Sequence, residues 1–136
     1  MRILKLAIVA LLTVMLVQAQ TPAMRADIPF DFEMRNITLP GGEYRVHIQP
    51  SYIIVKAVEN KESAIAVTFG FTPKDRSANE VRLVFNKYGD RYFLSQVWHP
   101  YTVRELPKSK QERELVTSRV VAQNPVRVVI AARLVR

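Results

Sequence analysis

Glu43-Tyr44-Arg45-Val46-His47-Ile48-Gln49 alternates strictly, with Tyr44, Val46 and Ile48 on one side and Glu43, Arg45, His47 and Gln49 on the other. Successive side chains of a strand point to opposite faces, so the segment reads as a β-strand with one dry and one wet face. Pro40-Gly41-Gly42 supplies a turn before it, and Pro50-Ser51 turns the chain after it.

The same period extends outward. Ile28, Phe30, Phe32 and Met34 alternate with Pro29, Asp31, Glu33 and Arg35, which predicts one strand, at an edge or near its start because Pro29 has no N–H for the ladder. Tyr52 to Val58 is a short β-branched run. In Ala64 to Phe71 the large Ile65, Val67, Phe69 and Phe71 share one face and the small Ala64, Ala66, Thr68 and Gly70 the other, which suggests a second layer packed closely on the small face. Val81, Leu83 and Phe85 lead into Asn86-Lys87-Tyr88-Gly89-Asp90, residues tolerant of positive φ, and so into a hairpin. Arg91 to Trp98 returns, with Tyr92, Leu94 and Trp98 assigned to one face and Phe93 and Val97 to the other. Ser109-Lys110-Gln111-Glu112 fits a capping box and predicts a short helix ending before Asn124-Pro125. The expectation is an all-β chain: an antiparallel β-sandwich or small barrel of about six or seven strands, with a short C-terminal surface helix. A membrane-spanning barrel fits less well, since its strands need about 9 to 11 residues with a lipid-facing row.

Residues Met1 to Ala19 read as a cleavable secretory signal: Arg2 and Lys5 precede an apolar stretch from Leu6 to Val17, and Val17-Gln18-Ala19 fits a cleavage site before Gln20. A second candidate site follows Ala26. The organisation expected is a signal over 1–19, a short leader over 20–27, a β domain over 28–122 with its helix near 109–122, and a last strand or tail over 123–136. The chain has no cysteine, which excludes disulfide staples and a thioether-linked lipid anchor, so core packing must hold the domain. No transmembrane segment is expected after cleavage. The net charge of +8 falls to +6 when Arg2 and Lys5 leave with the signal. That excess suits solubility, since the charges are interspersed, or attraction to polyanions such as lipid headgroups or a cell-envelope polymer.

Four stretches resemble a family of small secreted bacterial β-rich proteins with no established activity: Ile28 to Phe32, Leu39 to Val46, Tyr88 to Trp98, and Glu105 to Ser109. The resemblance covers roughly Ile28 to Leu115 and implies an exported β domain and no chemistry. Leu39 to Val46 is also similar to the turn and strand of transthyretin-like and collagen-adhesin B-type sandwiches, in which the tyrosine, here Tyr44, packs inward.

Candidate chemistry is sparse. His47 and His99 are the two histidines, and without cysteine a zinc site would need carboxylates to complete it. Ser95, His99 and Asp90 make a triad on paper, with no nucleophile-elbow motif around the serine. Glu112 and Glu114 lie beside Lys110 and Arg113 on the predicted surface helix, which favours solvated ion pairs. Asn36-Ile37-Thr38 is a glycosylation acceptor by pattern, incidental in a bacterial setting. Trp98, His99, Tyr101 and Arg104 form the patch to test for binding, against the plainer expectation that Tyr92, Phe93 and Trp98 are core. No catalytic residue, cofactor, metal or specific nucleic acid is expected. The reading is an exported non-enzymatic β module with an anionic envelope polymer or a protein as partner. The alternatives are a cell-envelope hydrolase and a basic polyanion-binding protein.

Overall fold

The computed structural model describes residues 23–74, 80–100, 102–118 and 124–135. The signal and its cleavage site before Gln20 lie outside the described residues. Among those described, the strands are β1 (Ala23–Ile28), β2 (Phe32–Met34), β3 (Ile37–Leu39), β4 (Gly42–Ile48), β5 (Tyr52–Ala57), β6 (Ser63–Val67), β7 (Phe69–Phe71), β8 (Arg82–Tyr88), β9 (Arg91–His99), β10 (Thr102–Glu105) and β11 (Val126–Val135). One helix, α1 (Lys110–Thr117), sits between β10 and β11. No helix among the described residues is long and apolar enough to cross a membrane. The fold is all-β, as expected, with eleven strands among the described residues where six or seven were expected.

The strands join into a nearly closed, barrel-like sheet in the order β3-β2-β9-β8-β11-β1-β4-β5-β6. Pairing is antiparallel except between β2 and β9, which meet in parallel at Glu33 and Phe93. The extra strands come from breaks inside expected ones. The single strand over Ile28 to Met34 is two, β1 and β2, separated by Pro29 to Asp31, where the Asp31 carboxylate accepts the Gly41 N–H at 2.9 Å. The run from Ser63 to Phe71 changes partner at Thr68, whose N–H donates to the Ser51 carbonyl at 3.0 Å. Before Thr68 it pairs with β5; after it, β7 pairs with β10, which pairs in turn with β9. That change of partner carries the sheet around towards closure.

Two expected boundaries shift. Residues 23–27, expected in the leader, belong to β1, which lies between β4 and β11 with Met24 fully buried. The C-terminal segment, left open between strand and tail, is β11, paired with β8 on one side and β1 on the other.

The interior holds Met24, Phe32, Met34, Leu39, Tyr44, Val46, Ile53, Val55, Leu83, Phe85 and Val97, all essentially inaccessible. Phe32 meets Tyr44 and Phe85 edge-on, with ring centroids 5.2 and 5.5 Å away, and Phe30 stacks on Tyr92 at 3.8 Å. Offset and edge-to-face pairs of this kind add about 0.5 to 1.5 kcal/mol each beyond area burial. Tyr44 is core, and its hydroxyl donates to the Pro40 carbonyl, tying β4 to the turn before it.

One facing left open is settled, and one assignment reverses. In β6 and β7 the small Ala64, Ala66 and Thr68 point inward, while Ile65, Val67, Phe69 and Phe71 are exposed. A curled sheet leaves little inner volume, and small side chains fit it. In β9 the ladder to β8 shifts between Val84 and Phe85, so that Ser95 is an extra residue. Such a bulge changes the side from which every later residue projects. Val97 therefore joins Tyr92 and Leu94 inside, and Trp98 joins Phe93 and Gln96 outside, opposite to the expected partition.

Candidate functional site

The outer face of β8 presents Arg82, Val84, Asn86 and Tyr88, since Leu83 and Phe85 face the core. Against this face α1 lies with Glu112 pressed onto the sheet. The Ser109 hydroxyl caps the helix by accepting the Glu112 N–H at 3.2 Å. The Glu112 side chain does not return to the cap as a full capping box would have it; its Oε2 accepts from Tyr88 Oη at 2.8 Å and from Asn86 Nδ2 at 3.0 Å. Glu112 is 3% exposed, which corrects the expectation of a solvated ion pair. Burial, followed by the hydrogen bond to Glu112 and its charge, raises the Tyr88 pKa above the usual phenol value. The helix is eight residues long rather than the fourteen expected over 109–122, of which 119–122 lie outside the described residues. A readable sign of this anchor is Asn86 itself, a polar residue on a strand covered on both faces, which must find a partner when buried.

Two concavities flank the anchor. A small cleft of about 70 Å³ lies among Glu33, Arg35, Val67 of β6, and Leu106, Ser109 and Glu112 from the chain after β10. Arg35, in the left-handed region at φ 56°, reaches over it to the Ile65 carbonyl at 3.5 Å. The volume suits a water or two rather than an organic ligand. On the other side an open groove of about 380 Å³ is lined by Asn86, Gln96, Glu105, Lys108, Asn124 and Arg127, among others. Gln96 Oε1 accepts from both Trp98 Nε1 and Arg127 Nη2 at 3.0 Å, so the groove floor is held by hydrogen bonds.

The structure separates the expected binding patch. Trp98 projects outward with the Arg82 guanidinium 4.0 Å from its ring centroid, a cation–π contact. Arg104 pairs with Val97 and Gly70 and so belongs to the inner side. Its Nη1 donates to the Pro50 carbonyl at 2.8 Å. His99 ends β9 opposite Thr102, partly buried, and Tyr101 lies outside the described residues. Trp98 and Arg104 thus do not share a face. Ser95 is the bulge residue, and Asp90 and His99 sit at opposite ends of β9, about 30 Å apart at ~3.3 Å per residue. The paper triad is not assembled. Among the described residues no three His, Asp or Glu converge as a metal site.

The sequence pattern grouped Ile65, Val67, Phe69 and Phe71 on one face without showing that this face is exposed. Ile65 and Val67 are each 53% exposed and Phe69 is 64% exposed, with Phe71 and Tyr52 beside them. Tyr52 stands opposite Val67, and Ile54 opposite Ile65, so these side chains share the outer face. The next row contains Arg45 directly across from Lys56. Comparison with family models, curated proteins and solved structures finds no match.

Proposed function

We propose that this chain is an exported, non-enzymatic β module that works at the cell envelope by presenting a binding surface. The observation that carries the reading is the exposed row of Ile65, Val67, Phe69 and Phe71 on the outside of an otherwise well-packed sheet. Contiguous apolar patches of this kind are uncommon on free monomers and mark sites of contact. Among the described residues the most buried carboxyl, Glu112, is meanwhile engaged in holding α1. The signal-like start and the resemblance to secreted β-rich proteins support export.

A second reading, a basic polyanion binder, is favoured by the open groove. There Lys108 and Arg127 flank a floor of Asn86 and Gln96, in a volume that suits a polymer segment.

Fractionation of the native host, with N-terminal sequencing of the recovered chain, tests the first reading. The expected product starts at or shortly after Gln20 and is found outside the cytoplasm. A full-length chain beginning at Met1 and confined to the cytoplasm overturns it.

A further inference from the structure

The outer face of β4, β5 and β6 is laid out in rows by its register. One row runs Arg25, Arg45, Lys56 and Ser63; the next runs His47, Ile54 and Ile65; the third pairs Tyr52 with Val67, and Phe69 and Phe71 continue along β7. Cations therefore lie about 7 Å, two strand residues, from the apolar rows. Arg25 is neutralised by Glu43, which Arg133 also contacts at 3.2 Å. Arg45 and Lys56 make no ion pair among the described residues, although each is exposed and they stand directly opposite one another. Like charges so placed repel, and folding gains nothing from them.

We propose that this face is a membrane-contact surface for anionic lipid: Tyr52, Ile65, Val67, Phe69 and Phe71 enter the boundary between headgroups and acyl chains while Arg45 and Lys56 meet the phosphates. The inference rests on the surface-binding reading above and names its partner. Amphipathic surfaces bind bilayers by combining apolar burial with attraction of cations to anionic headgroups. His47 stands on the same face between these rows, and its pKa is lowered first by burial and then by the nearby Lys56 and Arg45. The same charges argue against a second copy as the occupant, because a two-fold contact through this face would bring Arg45 and Lys56 towards their own counterparts.

Co-sedimentation of the mature chain with vesicles of mixed phosphatidylglycerol and phosphatidylcholine, and with vesicles of phosphatidylcholine alone, decides the matter. Binding is expected to the anionic vesicles, weakening at about 1 M salt, where screening acts within ~3 Å. Arg45→Glu with Lys56→Glu should lower the affinity by more than about tenfold, and Phe69→Ser with Phe71→Ser by at least as much. Circular dichroism melts of both double variants should match the parent, since all four side chains are exposed.

Equal binding of parent and folded variants overturns the proposal, as does absence of binding to anionic vesicles. A dimer in sedimentation equilibrium that Phe69→Ser abolishes overturns it in favour of a second copy. A chain that is exported but ignores lipid sinks this inference and leaves the surface-binding reading standing. A chain that never leaves the cytoplasm sinks the export reading instead.

Discussion

The Tyr88 hydroxyl donates to Glu112 Oε2 at 2.8 Å, and this contact, with Asn86 on the same oxygen at 3.0 Å, pins α1 to the outside of β8. The helix has no apolar alternative: Val116 is largely exposed and Leu115 only partly covered. Glu112→Ala removes the shared acceptor and leaves two buried donors unpaired, a loss of about 2 to 3 kcal/mol. Glu112→Gln keeps an acceptor of the same length and should lose about half as much. Urea midpoints, together with the rate of tryptic cleavage at Lys110 and Arg113, measure both. Unchanged cleavage in Glu112→Ala would mean that the helix is held by something else.

The same pair sets the response to alkali. Tyr88 in the folded chain ionises above the ordinary phenol value of about 10, and Tyr44 shifts the same way, chiefly through burial. Unfolding returns both phenols to about 10. A group whose pKa is raised by folding contributes its stability in full below the unfolded value and loses it as pH rises towards the folded one. Stability should therefore decline above about pH 10, with tyrosinate absorbance from these two rings appearing together with unfolding. Tyr88→Phe should flatten that decline. Ionisation of every tyrosine in a chain still folded would contradict the prediction.

Gly70 is small because Arg104 passes over it. A Cβ built on Gly70 would lie 2.7 Å from Arg104 Nη1, closer than a methyl carbon and a guanidinium nitrogen pack, so the flexible end of the arginine would have to shift. Gly70→Val should expel the guanidinium from its bond to the Pro50 carbonyl and loosen the link between β10 and the turn that joins β4 to β5. The cost is about 0.5 to 1.5 kcal/mol, the range for one lost hydrogen bond, because this bond is exposed and the end of the arginine can move aside. Arg104→Ala in the Gly70→Val background should add little further loss, because the two changes remove one interaction. Additive losses in that cycle would separate the residues.

How far the sequence could be read depended on which side of each strand was distinguishable. In β4 one face is apolar and the other polar, so the period-two pattern assigned Tyr44, Val46 and Ile48 correctly to the interior. The hairpin from β8 to β9 was legible too, because Gly89 at φ 59° meets a backbone demand that few residues satisfy. In β6 both faces are apolar, and size alone did not say that the inside of a curled sheet takes the alanines. In β9 the bulge at Ser95 carries no compositional mark, yet it exchanges Val97 and Trp98 between core and surface. The Glu112 anchor depends on residues 24 and 26 positions away, which local spacing does not reveal.

Phe93 tests the outer layer of this architecture. It is 2% exposed on the outer side of β9, with the Tyr88 ring edge-on at 5.8 Å and the Arg91 guanidinium 5.2 Å from its centroid. Arg91 is held there by Glu33 through two bonds of 2.6 and 2.8 Å. Phe93→Ala should cost about 3 to 5 kcal/mol, as for other fully buried aromatics. Glu33→Gln, which touches only the half-exposed ion pair, should cost under about 1 kcal/mol. A denaturant midpoint unmoved by Phe93→Ala would show that the ring is not part of the cooperative fold.

The C-terminal strand decides whether the sheet stands as one unit. β11 pairs with β8 along Val126 to Ala131 and with β1 along Ala132 to Val135, so its removal opens the sheet at its middle and exposes two long edges. Val128, Ile130 and Ala132 project inward against the core, while Arg127 and Arg133 project outward, to Gln96 and Glu43. A tail whose arginines served only to attract polyanions would have no use for the inward row. Truncation after Ala122 should therefore abolish cooperative unfolding, and a synthetic peptide of residues 123–136 should restore it in part by reoccupying the gap. Within the intact chain, Ile130→Asp places a charge on the inner side and should lower stability by several kcal/mol. Arg127→Ala and Arg133→Ala together should cost no more than about 1 kcal/mol, since both contacts are at the surface. If the truncated chain melts like the parent and Ile130→Asp is silent, β11 is not integral to the sheet. The outward arginines would then be the reason for the segment.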